Sequence, residues 1–200
     1  KVRLGGYIAY GTKDEELKGG GTVEYMFGKQ PTRKLTASFK RDALQLGTSE
    51  DAFTEGNIMG SLLSKGNSQR LSMVNRGSIS YEHEWTDGIT TIFSAQSNKI
   101  FSNRYVEMFT PDSMHVGAVR SATIGLGARL SWNEMVNRDH FDKTYLGSDY
   151  PIITADLQIG LKDLWKGSNE YYRGEIGVNY DLAMPPLGTS YFKLKAGKIW

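Results

Sequence analysis

The stretch VRSATIGLGARLSW, Val119–Trp132, alternates without a break: Ala122, Ile124, Leu126, Ala128, Leu130 and Trp132 against Ser121, Thr123, Gly125, Gly127, Arg129 and Ser131. Successive side chains of a β-strand point to opposite faces, so a period of two sorts this stretch into one apolar and one polar face. Strands of soluble proteins average ~5–6 residues, whereas a tilted strand needs ~9–11 to cross hydrocarbon. The length of this stretch fits the second setting.

The same period recurs in eight further segments. Before it come Lys1–Gly11 (Val2, Leu4, Ile8 and Tyr10 on one face), Gly20–Gly28 (Val23, Tyr25 and Phe27) and Lys34–Asp42 (Leu35, Ala37 and Phe39). Met73–Thr86 follows, in which Ile79, Tyr81, His83 and Trp85 alternate with Ser78, Ser80, Glu82 and Glu84. Ile89–Asn98 is joined to it by Asp87-Gly88, a strong two-residue hairpin signal because both residues tolerate positive φ. After it come Ile152–Leu161, Tyr171–Leu182 and Thr189–Trp200. Their polar faces carry full charges of both signs mid-strand, as a wet lumen requires.

Composition agrees. The 200 residues hold 23 Gly and 11 Tyr but 5 Pro, and mean hydropathy is −0.43. No apolar run approaches the ~18 residues of a transmembrane helix. A membrane barrel buries only alternate residues in lipid, so its average hydropathy stays low. The 24 basic and 22 acidic residues are interspersed, which argues against a nucleic-acid partner. The absence of Cys excludes thiolate metal sites, a cysteine nucleophile and disulfides.

The expected fold is therefore all-β, an antiparallel up-and-down transmembrane β-barrel. Short turns of such barrels share one side. Lys29–Arg33 and Asp87-Gly88 satisfy this, but Lys166–Asn169 does not unless one more strand lies between Asn98 and Pro151. Phe141–Leu146 and Asn103–Thr110 are the candidates, giving about ten strands. Asp51–Lys65, with Phe53, Ile58, Met59, Leu62 and Leu63, has the spacing of a short amphipathic helix in a long loop. Both ends of the chain lie within strand pattern. Residues 1–200 are thus expected to be an internal part of a larger barrel, with no ladder joining Lys1–Gly11 to Thr189–Trp200.

Three stretches carry a resemblance: Gly6–Gly47, His140–Lys162 and Leu187–Trp200. They are similar to a Bacteroidetes family of large uncharacterised outer-membrane proteins with an N-terminal carboxypeptidase-like regulatory domain and a C-terminal barrel. The resemblance implies a barrel distantly similar to the surface-antigen and outer-membrane-assembly superfamily, and it implies no activity. That superfamily carries an Arg-Gly motif on a loop folded into the lumen. Arg76-Gly77 lacks the aromatic that should follow, and the motif is not transferred to it.

Candidate chemistry is sparse. Glu82 and Glu84 share a face two residues apart; they can offer oxygen ligands to a cation, but ion pairs with Arg or Lys on neighbouring strands are the preferred reading. His140 with Asp142, Ser148 and Asp149 sketches a hydrolase cluster, against a reading as polar loop. Gly19-Gly20-Gly21 lacks the Lys-Ser/Thr of a phosphate loop and reads as a strand start where the sheet bends. Lys195–Trp200 has the outline of a barrel-assembly signal. The expected lumen-facing polar set is Glu82, Glu84, Arg129, Asp156, Arg173, Glu175, Lys193 and Lys195, with Ser121 beside them. No catalytic residue, cofactor or metal is expected. The expected partner is the lipid bilayer of the bacterial outer membrane, and the expected role is structural or related to transport and export. A barrel hydrolase using the His140 region, or a soluble β-sheet binding protein, are the rivals.

Overall fold

The computed structural model describes residues 1–11, 15–29, 31–45, 71–86, 88–102, 107–109, 114–139, 141, 143–162, 170–186 and 188–200. The expected helix Asp51–Lys65 lies outside them. The described residues form strands and no helix: β1 (Val2–Tyr10), β2 (Leu17–Lys29), β3 (Thr32–Gln45), β4 (Leu71–Thr86), β5 (Ile89–Phe101), β6 (Met108–Phe109), β7 (His115–Val116), β8 (Ala118–Leu130), β9 (Met135–Arg138), β10 (Lys143–Gly147), β11 (Ile152–Gly160), β12 (Tyr171–Met184) and β13 (Gly188–Ile199).

Nine of these form one antiparallel meander in the order β1-β2-β3-β4-β5-β8-β11-β12-β13. The sheet is open. β1 and β13 are its edges and no ladder joins them. The expected count of about ten is corrected to nine. Phe141–Leu146 contributes β10 and Asn103–Thr110 contributes β6, but each belongs to a separate two-stranded hairpin rather than to the main sheet. The parity that suggested a tenth strand dissolves because β11 ends at Gly160 and β12 begins at Tyr171. The connection between them is longer than a tight turn and sits at the long-loop end. Connections 30–31, 87–88 and 185–187 are short and share the other end.

Register turns the alternation of sequence into two continuous faces. Val2, Tyr25, Leu35, Tyr81, Phe93, Leu126 and Leu157 are successive cross-strand neighbours in one row. Leu4, Val23, Ala37, Ile79, Ala95, Ile124 and Ile159 form the next row on that face. Between them, pointing the other way, run Arg3, Glu24, Thr36, Ser80, Ser94, Gly125, Gln158 and Arg173. Two glycines serve this pattern. Gly88 turns the β4–β5 hairpin at φ +96°, and a Cβ there would stand 2.1 Å from the Ser131 carbonyl oxygen. Gly160 lies under the Tyr171 ring, 2.3 Å from where its Cβ would be. Gly19–Gly21 is inside β2 rather than at a strand start, because pairing extends back to Leu17 opposite Tyr10.

Burial is inverted relative to a water-soluble domain. Among the described residues no second layer covers the apolar face: Leu4 is 73 % exposed, Ile176 61 % and Leu157 57 %. The most buried described residues are more often polar (Thr32, Ser72, Glu84, Thr90 and Ser131) than apolar (Met26, Val74 and Ala122). A soluble sheet hides its apolar face and wets the polar one.

Candidate functional site

Four of the buried polar residues, Thr32, Glu84, Thr90 and Ser131, lie at the short-turn end of the polar face, where the connection from β8 to β11 folds back over the sheet. That connection contains the hairpin β9–β10, with Arg138 opposite Lys143. The hairpin is held by ion pairs. Arg138 grips Glu84 with both guanidinium nitrogens, Nη1 donating to Oε2 and Nη2 to Oε1 at 2.8 Å each. The Thr32 backbone N–H donates to Glu84 Oε2 at 2.9 Å, and Lys143 Nζ stands 3.2 Å from the same oxygen. Arg138 Nη1 also donates to Thr32 Oγ1 at 3.2 Å.

The network continues on either side. Glu82 lies between Lys34 of β3 at 3.5 Å and Lys143 at 3.7 Å. Arg129 of β8 donates from Nη1 to Glu134 Oε2 at 2.7 Å and to Ser131 Oγ at 3.2 Å, and its guanidinium lies 4.3 Å from the centroid of the Tyr145 ring. Desolvation under the hairpin raises the Tyr145 phenol above its ordinary value, with the Arg129 guanidinium acting against the rise. Arg3, paired with Glu24 on β2, lies over Phe141 at 5.2 Å. The hairpin thus ties β8 to β1 across the polar face. Cavities of about 240 Å³ and 310 Å³ flank its junction with the sheet; Arg138, Lys143 and Tyr145 line both.

A buried carboxylate is tolerated only when it is paired and hydrogen-bonded. Glu84 meets that condition through Arg138, Lys143 and the Thr32 amide. Its lone pairs are committed to donors, which leaves it ill suited to act as a general base or to hold a cation. Among the described residues no group of three or more His, Asp or Glu has the spacing of a metal site.

A second, more open cluster lies along the same face. Glu175 accepts from Arg173 Nη2 at 2.7 Å and stands 3.2 Å from Lys195 Nζ. Asp156 is directly opposite Glu175 across the β11–β12 pair. Lys193 stands opposite Asn179, nearer the short-turn end, and Ser121 stands opposite Asn98 on the same face. All eight members of the expected polar set, and Ser121, therefore lie on one face. The structure divides the eight into a hairpin-covered group (Glu82, Glu84, Arg129) and an open group (Asp156, Arg173, Glu175, Lys195), with Lys193 beyond.

The expected ion pairs of Glu82 and Glu84 form, but with a corrected source. Lys34 does come from a neighbouring strand, whereas Arg138 and Lys143 come from outside the sheet. The register that explains this was not legible in the sequence. Glu84 faces Thr90 on β5, and at its β3 side Thr32, so no cation in the sheet is in register with it. Of the hydrolase sketch, His140 and Asp142 lie outside the described residues. The Ser148 hydroxyl donates to the Trp132 carbonyl at 2.7 Å and accepts from the Tyr150 N–H at 3.1 Å, closing the base of the hairpin connection. Arg76 sits mid-strand in β4 and donates to Asn98 at 3.1 Å, not on a loop.

A family model described as the C-terminal domain of a family of unknown function, DUF5686, matches residues 1–200. The chain belongs to that family. No curated protein and no solved structure matches it. For the DUF5686 C-terminal domain the geometry is therefore the guide to function: one apolar face uncovered by the described residues, and one charged face covered at one end by a pinned hairpin.

Proposed function

We propose that the DUF5686 C-terminal domain forms wall of an outer-membrane β-barrel, with a structural or export-related transport role and no reaction of its own. The uncovered apolar face carries this reading. In water such a face is a severe aggregation liability, whereas in a bilayer it is solvated by lipid tails. Strand length supports it too, since β2, β3, β4, β5, β8, β12 and β13 run to 12–16 residues. Three of the four connections at one end (30–31, 87–88 and 185–187) are short, as on the inner side of outer-membrane barrels, while the fourth, 131–151, carries the β9–β10 hairpin that folds back over the polar face. On this reading the partner of the apolar face is the lipid bilayer. The charged face, including Glu82, Glu84, Arg129, Asp156, Arg173, Glu175, Lys193 and Lys195, lines a wet interior that the β9–β10 hairpin narrows. The reading requires β1 and β13 to be paired in the membrane, because unpaired backbone groups are costly in hydrocarbon.

Fractionation of cells producing the full-length protein tests this. The expected result is recovery in the dense outer-membrane fraction, resistance to alkaline carbonate extraction, and a heat-dependent shift in gel mobility. Recovery in the soluble fraction without detergent overturns the proposal.

A further inference from the structure

The apolar face is interrupted near its long-loop end by a row of four polar residues, three of them basic. Arg41 on β3, Asn75 on β4, Lys99 on β5 and Arg120 on β8 are successive cross-strand neighbours. They share the face of Phe39, Ile79, Phe93 and Ile124, since each is separated from those residues by an even number of positions along its strand. Lys99 and Arg120 are paired directly across β5 and β8. Like charges directly opposite one another in a sheet are destabilising unless an anion lies between them. Among the described residues neither has a carboxylate within ion-pair distance; the Lys99 ammonium instead lies 4.5 Å from the Phe101 ring centroid. Arg41 pairs with the exposed Glu16 at 3.0 Å.

The height of the row on the sheet is informative. Ile89, which pairs with Leu130, marks the other end of the apolar face ten positions from Lys99 along β5. At ~3.3 Å per residue and a tilt of ~40°, that span projects to ~25 Å along the membrane normal, the height of the lipid-facing band of an outer-membrane barrel. The row thus falls where the acyl chains end and headgroups begin. Neighbouring strands are ~4.8 Å apart, so Lys99 and Arg120 can converge on one tetrahedral phosphate.

We propose that Arg41, Lys99 and Arg120, with Asn75 between them, form a binding site on the outer surface of the sheet for phosphorylated lipid headgroups of the leaflet on the long-loop side. Arg supplies a planar fork for phosphate oxygens and Lys a point charge, while both stems lie along the apolar surface below. This rests on the membrane reading above.

The test uses the full-length protein reconstituted in phosphatidylcholine vesicles, with spin-labelled phosphatidic acid or spin-labelled phosphatidylcholine as probe. Insertion is measured separately by protection from protease and by carbonate resistance. The expected result is selective immobilisation of the phosphatidic acid probe that persists when inorganic phosphate is added. The selectivity should fall roughly fivefold per charge removed in Lys99→Gln and Arg120→Gln, with Lys99→Arg retaining it. Equal immobilisation of both probes by an inserted wild-type protein overturns the lipid site and leaves the membrane reading standing. Selectivity unchanged in an inserted Lys99→Gln/Arg120→Gln double variant does the same, as does selectivity abolished by inorganic phosphate, which marks a site for the free ion. Failure of the wild type to insert overturns both readings.

Discussion

On the polar face Glu84 is 4 % exposed, enclosed by a hairpin that arrives with the cations it needs; on the opposite face Leu126 and Ile176 are 38 % and 61 % exposed, with no second layer of described residues over them. The two faces belong to the same strands and differ only in the parity of residue number. The comparison teaches that parity, more than average hydropathy, sets the surroundings each residue is built for. On the membrane reading proposed above, it also assigns the charge-protecting face to the interior and the bare face to lipid.

The strongest way to break the comparison is to exchange a residue type between faces. Leu126→Arg places a charge at mid-height on the bare face and should lower the stability of the vesicle-inserted protein by on the order of 2–4 kcal/mol. Thr36→Lys, on the polar face opposite Glu24, should stay within about 0.5 kcal/mol. Urea titration of the inserted protein reads both. Equal effects would mean that the faces do not differ in surroundings.

Next in size is the contact that closes the polar face. Arg138→Ala strands the buried Glu84 carboxylate and should destabilise the protein by about 2–3 kcal/mol, below the usual figure for a broken buried pair because Lys143 remains at 3.2 Å. The same titration measures it, and protease should then cut the β8–β11 connection faster. A smaller effect is expected at Gly160→Ala, about 1–2 kcal/mol, since the new methyl meets the Tyr171 ring. The Gly160→Ala/Tyr171→Ala double variant should show strong coupling between the two sites, because with the ring gone the methyl has room. The smallest is Arg173→Ala. Its pair with Glu175 is open to solvent, and the change should be at most about 1 kcal/mol. A loss as large as that of Arg138→Ala would show that the open cluster is enclosed too.

Much of this was legible from alternation alone. Each of the nine segments corresponds to a strand of the main sheet, with ends shifted by a few residues, because a half-solvated strand has to repeat every two residues along its whole length. The β4–β5 turn was legible because Gly88 takes a φ of +96°, a conformation that favours glycine. What was not legible is the hairpin. Phe141–Leu146 carries strand-like residues and does form β10, but periodicity says nothing about which sheet a strand joins. Alternation placed the cations for Glu84 on neighbouring strands, and only the register, with Thr90 and Thr32 beside it, shows why Arg138 and Lys143 supply them from outside the sheet. The cationic row of Arg41, Lys99 and Arg120 was hidden for a related reason. Its members are far apart in sequence and become neighbours only through register.

Single-cysteine scanning along β8 tests the central claim most directly, since the chain has no cysteine of its own. Each position from Ala122 to Arg129 is replaced in turn in the full-length, vesicle-inserted protein and treated with a membrane-impermeant maleimide. The account predicts a period of two: cysteines at Thr123, Gly125 and Gly127 react, a cysteine at Arg129 reacts more slowly under the β9–β10 hairpin, and those at Ala122, Ile124, Leu126 and Ala128 are protected and become reactive once the protein is unfolded in detergent. Uniform reactivity along the strand, or protection at the polar positions instead, would contradict it.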